Sequence, residues 1–299
     1  MERTIIDFLK MNDVEYKESI RLSTISPIRI GGCAEIVAYP NSEEQLASLI
    51  CFLENEKIKH KILGRMSNVL PPDDGYDGVI IRTDKLCGLL LKENEITASS
   101  GVPLARISDF ASKNQLSGME ELAGIPGSIG GAVVGNAGAF GREISDVITS
   151  VRLYDVDRKC IVALGPEECG FGYRHSRFKV DRYVIFSVTL SLTCSDPLII
   201  RQRVEEFKQM RISTQPTDRP SLGSCFKRVN REASAALLID KCGLKGKSFG
   251  GAMVSEKHAG FIVNYCGATA SDYITLSDYV ASRVYERYAI RLEREIEII

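Results

Sequence analysis

Between residues 124 and 131 the chain reads Gly124-Ile125-Pro126-Gly127-Ser128-Ile129-Gly130-Gly131. Glycine opens backbone conformations closed to other residues, and proline fixes φ and removes an N–H. A segment this dense in both is expected to form neither a helix nor a regular strand. With no side chains in the way, its N–H groups can converge on an anion. Asn136, Gly138 and Gly141 continue the theme. The pattern is neither the G-x-G-x-x-G dinucleotide fingerprint nor a P-loop ending in Gly-Lys-Ser or Gly-Lys-Thr. A second loop, Gly64-Arg65-Met66-Ser67-Asn68, follows a short apolar stretch. Ser67 and Asn68 offer hydrogen-bond donors from both side chain and backbone. Two such loops suit an elongated ligand with two phosphates, such as a dinucleotide. The competing reading of the longer segment is a purely structural cluster of turns.

Other residue types narrow the chemistry by what they lack. His60, His175 and His258 have no neighbours at metal-ligand spacing, so no metal is expected. The nine cysteines are scattered, odd in number and free of any C-x-x-C pair, as in a reducing compartment. They read as small buried hydrophobes. Cys225 stands out only because it follows Ser224. The 38 basic and 39 acidic residues leave a net charge of -1. Such a balance provides no broad basic field for nucleic acid or an anionic membrane, so any phosphate must be held locally. The opening MERTIIDFLK lacks the apolar run of a signal peptide, and the most apolar stretch, Tyr183 to Cys194, is too short to span a bilayer. A cytoplasmic protein is expected.

The elements that must carry these loops read as α+β, without repeated βαβ units. Residues 1–18 form an amphipathic pattern with Ile5, Ile6, Phe8 and Leu9 on one face. A strand follows at Ala34–Tyr39, then a helix capped at Asn41 or Ser42 that ends near Lys57. Strands are expected at Lys61–Leu63, Gly78–Thr83, Ile96–Ser100, Ser150–Asp155, Cys160–Leu164 and Tyr183–Thr193. A helix is expected at Leu104–Asn114, and residues 64–77 read as loop. The turn at Ser195-Asp196-Pro197 marks a domain boundary. Beyond it come helices at Ile199–Met210, Ala233–Lys241 and Leu276–Tyr288, short strands at Gly251–Val254 and Ile262–Asn264, and a last strand at Glu295–Ile299. The division is thus 1–196, with parts of roughly 1–85 and 86–196, and 197–299.

Taken in order, the motifs resemble a known family. Ile30-Gly31-Gly32, Gly64…Ser67-Asn68, Gly124–Gly131 and Asn136-Ala137-Gly138-Ala139-Phe140-Gly141 come first. Phe171-Gly172-Tyr173-Arg174-His175-Ser176-Arg177-Phe178 and Gly223-Ser224-Cys225-Phe226-Lys227-Arg228 follow. Gly243-Leu244-Lys245-Gly246, Val254-Ser255…His258-Ala259-Gly260-Phe261 and Leu292-Glu293-Arg294-Glu295 complete the series. The series is similar to the UDP-N-acetylenolpyruvoylglucosamine reductases, also called UDP-N-acetylmuramate dehydrogenases, of bacterial cell-wall precursor synthesis. The length and the Tyr-Arg-His-Ser segment resemble the shorter type of that family. The resemblance implies a two-part FAD-binding region, vanillyl-alcohol-oxidase-like (PCMH-like), in residues 1–196. It implies an α+β substrate domain at 197–299, whose last strand packs back on the FAD region.

The same resemblance implies FAD and NADPH as cofactors, a UDP-sugar substrate, and a monomer. Gly64, Ser67, Asn68, Gly124, Ile125, Pro126, Gly127, Ser128, Gly130, Gly131, Asn136 and Gly138 match cofactor-binding positions. Arg174 matches the arginine that stabilises the substrate carboxylate, a task for a planar, permanently charged fork of donors. Ser224 matches the proton donor, and Glu295 the C-terminal glutamate. Glu293 shares a strand face with Glu295, and spacing alone does not choose between them. Tyr173, Arg211, Gln215 and Lys227 are candidates for substrate or nicotinamide contacts.

The sequence departs from the pattern in three places. Met66 replaces the second glycine of Gly-x-Gly-Ser-Asn, where a positive φ would impose strain on a methionine. Pro71 and Pro72 follow the loop, and Val229 stands where proline is common. Two alternatives compete with the reductase: a flavoprotein oxidoreductase of the same fold with another substrate, and a degenerate nucleotide-sugar-binding paralogue.

Overall fold

The computed structural model describes residues 2–229 and 234–299; the Asn230–Glu232 stretch and Ala233, an expected helix start, lie outside the described residues. The chain forms two compact units. The first comprises Met1–Glu18, Ile36–Arg65 and Gly78–Gln209; the second comprises Ser19–Glu35, Met66–Asp77 and Met210–Ile299.

In the first unit, the helix Glu43–Asn55 starts at Ser42, whose hydroxyl accepts from the Gln45 N–H. That cap satisfies a first-turn amide, and Glu43 and Glu44 sit where the helix dipole favours negative charge. Its apolar stripe, Leu46, Leu49, Ile50 and Leu53, packs with Ile36, Ala38, Val79 and Ile81 from a four-stranded sheet. The sheet order is Glu15–Arg21, Cys33–Tyr39, Tyr76–Arg82, His60–Leu63, with the last pair parallel. An antiparallel five-stranded sheet follows in the order Cys160–Leu164, Ile148–Asp155, Tyr183–Ser191, Glu95–Ser99, Leu89–Lys92. Its inward side chains, Ile96, Ala98, Val151, Leu153, Val188 and Leu190, share a core with the helices Leu104–Lys113 and Ile129–Gly135.

In the second unit, four antiparallel strands run in the order Ser221–Ser224, Phe261–Asn264, Ala252–Val254, Ser248–Phe249. The helices Ala235–Lys241 and Ala270–Tyr288 bury Leu238, Ile239, Tyr273, Leu276, Val280 and Val284 in the same core as Leu222, Val254 and Ile262. A separate parallel pair joins Glu297–Ile298 to Val69–Leu70.

Several elements differ from the sequence reading. The first helix is Glu2–Met11 and not 1–18, because Asp13 turns to φ 52° and the chain continues as the strand Glu15–Arg21. The glycine-rich segment does contain a helix, Ile129–Gly135. Its low intrinsic propensity is overridden by burial of Ile129, Ala132 and Val133. The stretch 64–77 contains the strand Val69–Leu70, which exists only through its C-terminal partner. Leu89–Lys92 was not anticipated.

The compact units do not follow a linear cut at residue 196. Ile28, Ile30 and Leu70 are buried in one core with Leu222 and Ile296, which draws 19–35 and 66–77 into the second unit. Residues up to 209 stay with the first unit, where Phe207 packs at a tilt against Phe140 with ring centroids 5.0 Å apart and Arg203 reaches Glu121 at 2.7 Å. Among the described residues no helix is long and apolar enough to cross a membrane.

Candidate active site

The first unit assembles the long glycine segment, Gly64 and the Tyr-Arg-His-Ser turn. The hydroxyl of Ser128 is buried and has no partner among the described residues. A Cβ built on Gly64 would lie 2.3 Å from that oxygen. Gly130 is equally confined, since its Cβ would meet Ser100 Cβ at 2.9 Å and the Ser100 carbonyl at 3.0 Å. Glycine at 64 and 130 therefore lets the backbone pack directly against Ser128 and Ser100, where a Cβ would clash. The amides of Ile129 and Gly130 are taken by the carbonyls of Val102 and Ser100, each at 2.9 Å. Gly124, Pro126 and Gly131 are exposed. A buried hydroxyl without a partner among the described residues, set against glycine backbone, fits a polar, phosphate-bearing cofactor. Buried polar groups are otherwise paired in folded proteins.

Asn136 ends the glycine-rich helix in the left-handed region, at φ 42°. Its buried side chain joins three segments. Nδ2 donates to Glu143 Oε2 at 2.8 Å and to the Gly172 carbonyl at 3.0 Å, while Oδ1 accepts from the Ser145 N–H at 3.2 Å. Ser176, fully buried, donates to the Val134 carbonyl at 2.7 Å. The turn Gly172–His175, closed by two backbone hydrogen bonds of 3.0 Å, is thus gripped on both sides. Arg174 sits in it at φ 53°. Its Nη2 donates to the Gly138 carbonyl at 2.8 Å, and its guanidinium stands 5.2 Å from the Tyr173 ring centroid. A non-glycine residue held in this region is strained, and such strain gathers at functional positions. Tyr173 itself is 49% exposed.

The second unit gathers Asn68, Ser224 and Glu295. Gly223 takes φ 78°, and the register between Ser221–Ser224 and Phe261–Asn264 shifts there. Such an irregularity re-aims the next side chain, here that of Ser224. Cys225 donates its N–H to the Gly260 carbonyl at 2.8 Å and accepts from the Glu295 N–H at 2.9 Å. Phe226 bridges to Arg294, and Lys227 donates its N–H to the Glu293 carbonyl at 2.9 Å. Asn68 Nδ2 donates to the Glu295 carbonyl at 3.0 Å, and the Asn68 carbonyl accepts from the Glu297 N–H at 2.9 Å. The serine strand, the C-terminal segment and the second loop are therefore one hydrogen-bonded array.

The two glutamates of the C-terminal segment have different partners. Glu293 ion-pairs with Lys227 at the surface, whereas Glu295 lies between Ser224's strand and Asn68. Cys225 is fully buried, and burial pushes its thiol up to about 12, so it packs and does not react. Arg211 has a buried Nη1 without a partner among the described residues, and burial lowers its guanidinium's pKa. Gln215 is half-buried one turn further on and donates its N–H to the Arg211 carbonyl at 2.9 Å. Met66 is 2% exposed and takes φ 57°, a conformation that favours glycine. His258 is half-buried, burial lowers its pKa, and its Nδ1 accepts from the Gly260 N–H at 3.2 Å.

The sequence reading did not single out the structural partners of these residues. Ser176 stood inside a recognised motif but carried no separate signal. Glu143 and Asp73, which anchor Asn136 and the helix Ala270–Tyr288, gave none.

Residues 34–163 match the FAD binding domain family. Together with the cradle in the first unit, this defines an FAD-dependent oxidoreductase. Residues 215–299 match the C-terminal domain of UDP-N-acetylenolpyruvoylglucosamine reductase. A reductase of that name from Clostridium botulinum (strain Okra / Type B1) is 40% identical over 98% of this chain and 94% of its own. One from Latilactobacillus sakei is 37% identical over 98% of this chain and 96% of its own. The crystal structure of the Thermus caldophilus reductase superposes with a TM-score of 0.80 at 32% identity, covering 95% of this chain and 98% of that one. The chain belongs to the UDP-N-acetylenolpyruvoylglucosamine reductase family.

Proposed function

We propose that this protein reduces UDP-N-acetylglucosamine enolpyruvate to UDP-N-acetylmuramate with NADPH, as a cytoplasmic monomer supplying peptidoglycan precursors. Net chemistry adds a hydride and a proton across the enolpyruvyl double bond. FAD, when bound, would supply the hydride-transfer chemistry that links the nicotinamide to the enolpyruvyl group. Gly64, Ser67, Asn68, Ser128, Gly130 and the exposed glycines of 124–131 are the residues that would hold it.

Electron density arriving at the enolpyruvyl group collects on the carbon bearing the carboxylate. Arg174 stabilises that charge, and its clamped turn removes the need to reorganise during reaction. Ser224 then gives its proton to the carbon. A serine hydroxyl is a weak acid, but the carbon is a strong enough base to take it. A neutral hydroxyl also places no standing negative charge beside the incoming substrate. Glu295 assists that proton transfer. Arg211, whose buried Nη1 has no partner among the described residues, is suited to a substrate phosphate; Tyr173, Gln215 and Lys227 are further candidates for substrate contacts.

The observation that carries the reading is the hydrogen bond from the Glu295 N–H to the carbonyl of Cys225, the residue after Ser224, at 2.9 Å. It joins residues that are remote in sequence and that this reaction requires together. The test is an anaerobic visible spectrum of the purified protein. NADPH is expected to bleach the flavin bands, and the enolpyruvyl UDP-sugar to restore them. Bleaching without restoration would assign another substrate.

A further inference from the structure

We infer that Asn68 is a positioning residue for Glu295, so that the cofactor loop itself sets the geometry of proton transfer. The inference rests on the functional reading above and deepens it. The peptide of Glu295 is held from two directions. Its N–H donates to Cys225 at 2.9 Å, and its carbonyl accepts from Asn68 Nδ2 at 3.0 Å. The Asn68 carbonyl then takes the Glu297 N–H at 2.9 Å, bracketing Ile296, which is buried. Glu297 and Ile298 continue in parallel register with Val69 and Leu70.

The loop can serve as a fixture because its far end is also fixed. Asp73 accepts from the N–H groups of Ala270 and Ser271, at 2.7 and 3.0 Å, at the start of the 19-residue helix Ala270–Tyr288. The Pro72 carbonyl accepts from Gly32 at 2.9 Å and from Gly75 at 3.2 Å. A segment anchored in this way transmits its position to whatever Asn68 holds.

Asparagine is chemically specific for this contact. Its amide is a donor toward a carbonyl, whereas the isosteric aspartate is an acceptor only, and serine and alanine are too short to reach. The side chain assigned from sequence to a phosphate thus spends a donor on the catalytic segment.

The test is a double-mutant cycle of Asn68→Asp and Glu295→Gln, with Asn68→Ala as a milder second variant. Each protein is loaded with FAD and bleached with NADPH. The rate at which UDP-N-acetylglucosamine enolpyruvate restores the colour is then followed in a single turnover. Amide hydrogen exchange over residues 295–299 is measured on the same samples. Asn68→Asp is expected to slow restoration about 10- to 100-fold, the scale of a small misplacement of a reacting group. In that background Glu295→Gln is expected to add less than about threefold, since coupled residues are not additive. Asn68→Ala is expected to act in the same direction but less, and exchange at 295–299 to quicken in both. Multiplicative effects of the two substitutions, or unchanged exchange, would overturn the inference while leaving the functional reading intact. Failure of the unaltered protein to recolour would overturn the reading, and this inference with it.

Discussion

The two units build their parts of the machinery by opposite means. The first shapes its cofactor cradle by omission. Gly64 and Gly130 sit where a Cβ would fall within 3 Å of Ser128 or Ser100. The second builds by pairing, joining Ser224, Glu295 and Asn68 through backbone bonds between segments far apart in the chain. A site made by omission is sensitive to a single added carbon. A site made by pairing tolerates side-chain change at many positions but depends on a few long-range bonds. Met66 marks the same contrast within one loop. At a left-handed backbone position that favours glycine, this chain buries a methionine.

Gly64→Ala should have the largest effect on the cradle. Its methyl group would meet Ser128 Oγ, and FAD affinity is expected to fall more than about tenfold, or 1.4 kcal/mol. A fluorescence titration with FAD reads the loss. Affinity unchanged in Gly64→Ala would mean that the hydroxyl simply turns away and the cradle is not tight.

Substitutions at Met66 separate strain from burial. A non-glycine residue in this region costs about 1–2 kcal/mol, and burying a methionine gains about 1.5–3 kcal/mol. Met66→Ala keeps the strain and loses the burial, so urea unfolding should show a loss of about 2–3 kcal/mol. Met66→Gly removes both terms, and a net loss of about 1 kcal/mol is expected. A glycine variant more stable than the parent would show that the methionine is only tolerated.

The smallest expected effect concerns the helix Ala270–Tyr288. Asp272 closes a capping box with Thr269, and the backbone N–H of Thr269 leads the interactions that lower its pKa. A depressed folded pKa stabilises the protein above the ordinary aspartate range near 3.9 and loses that stabilisation as pH falls through the folded value. Asp272→Asn should therefore lower the urea midpoint slightly at neutral pH, with the difference from the parent shrinking below about pH 4. A gap independent of pH would assign the effect to shape and not to charge.

What could be read from the sequence follows the same division. Glycines announce a site built by omission, so Gly64, Gly124–Gly131 and Gly138 were visible as a pattern. Periodicity gave most strands of the five-stranded sheet and the helices Glu43–Asn55 and Leu104–Lys113. The helix Ile129–Gly135 was missed because its stability comes from tertiary burial and not from propensity. Val69–Leu70 was missed because a two-residue strand has no periodicity and exists only through Glu297–Ile298. The choice of Glu295 over Glu293 came from family resemblance alone; in the fold the Glu295 main chain bonds Cys225 and Asn68, and the Glu293 main chain bonds Lys227. The sequence could not show that Asn136 ties Glu143, Ser145 and Gly172 together, since its three partners lie on different elements.

The most direct test of the division of roles is a single turnover with Ser224→Ala, loaded with FAD and bleached with NADPH under anaerobic conditions. Return of the visible bands on adding UDP-N-acetylglucosamine enolpyruvate is expected to slow by about 10²- to 10⁴-fold, the range for removing a proton donor. Return at the parental rate would contradict the assignment of Ser224 and, with it, the proton-transfer role of the second unit.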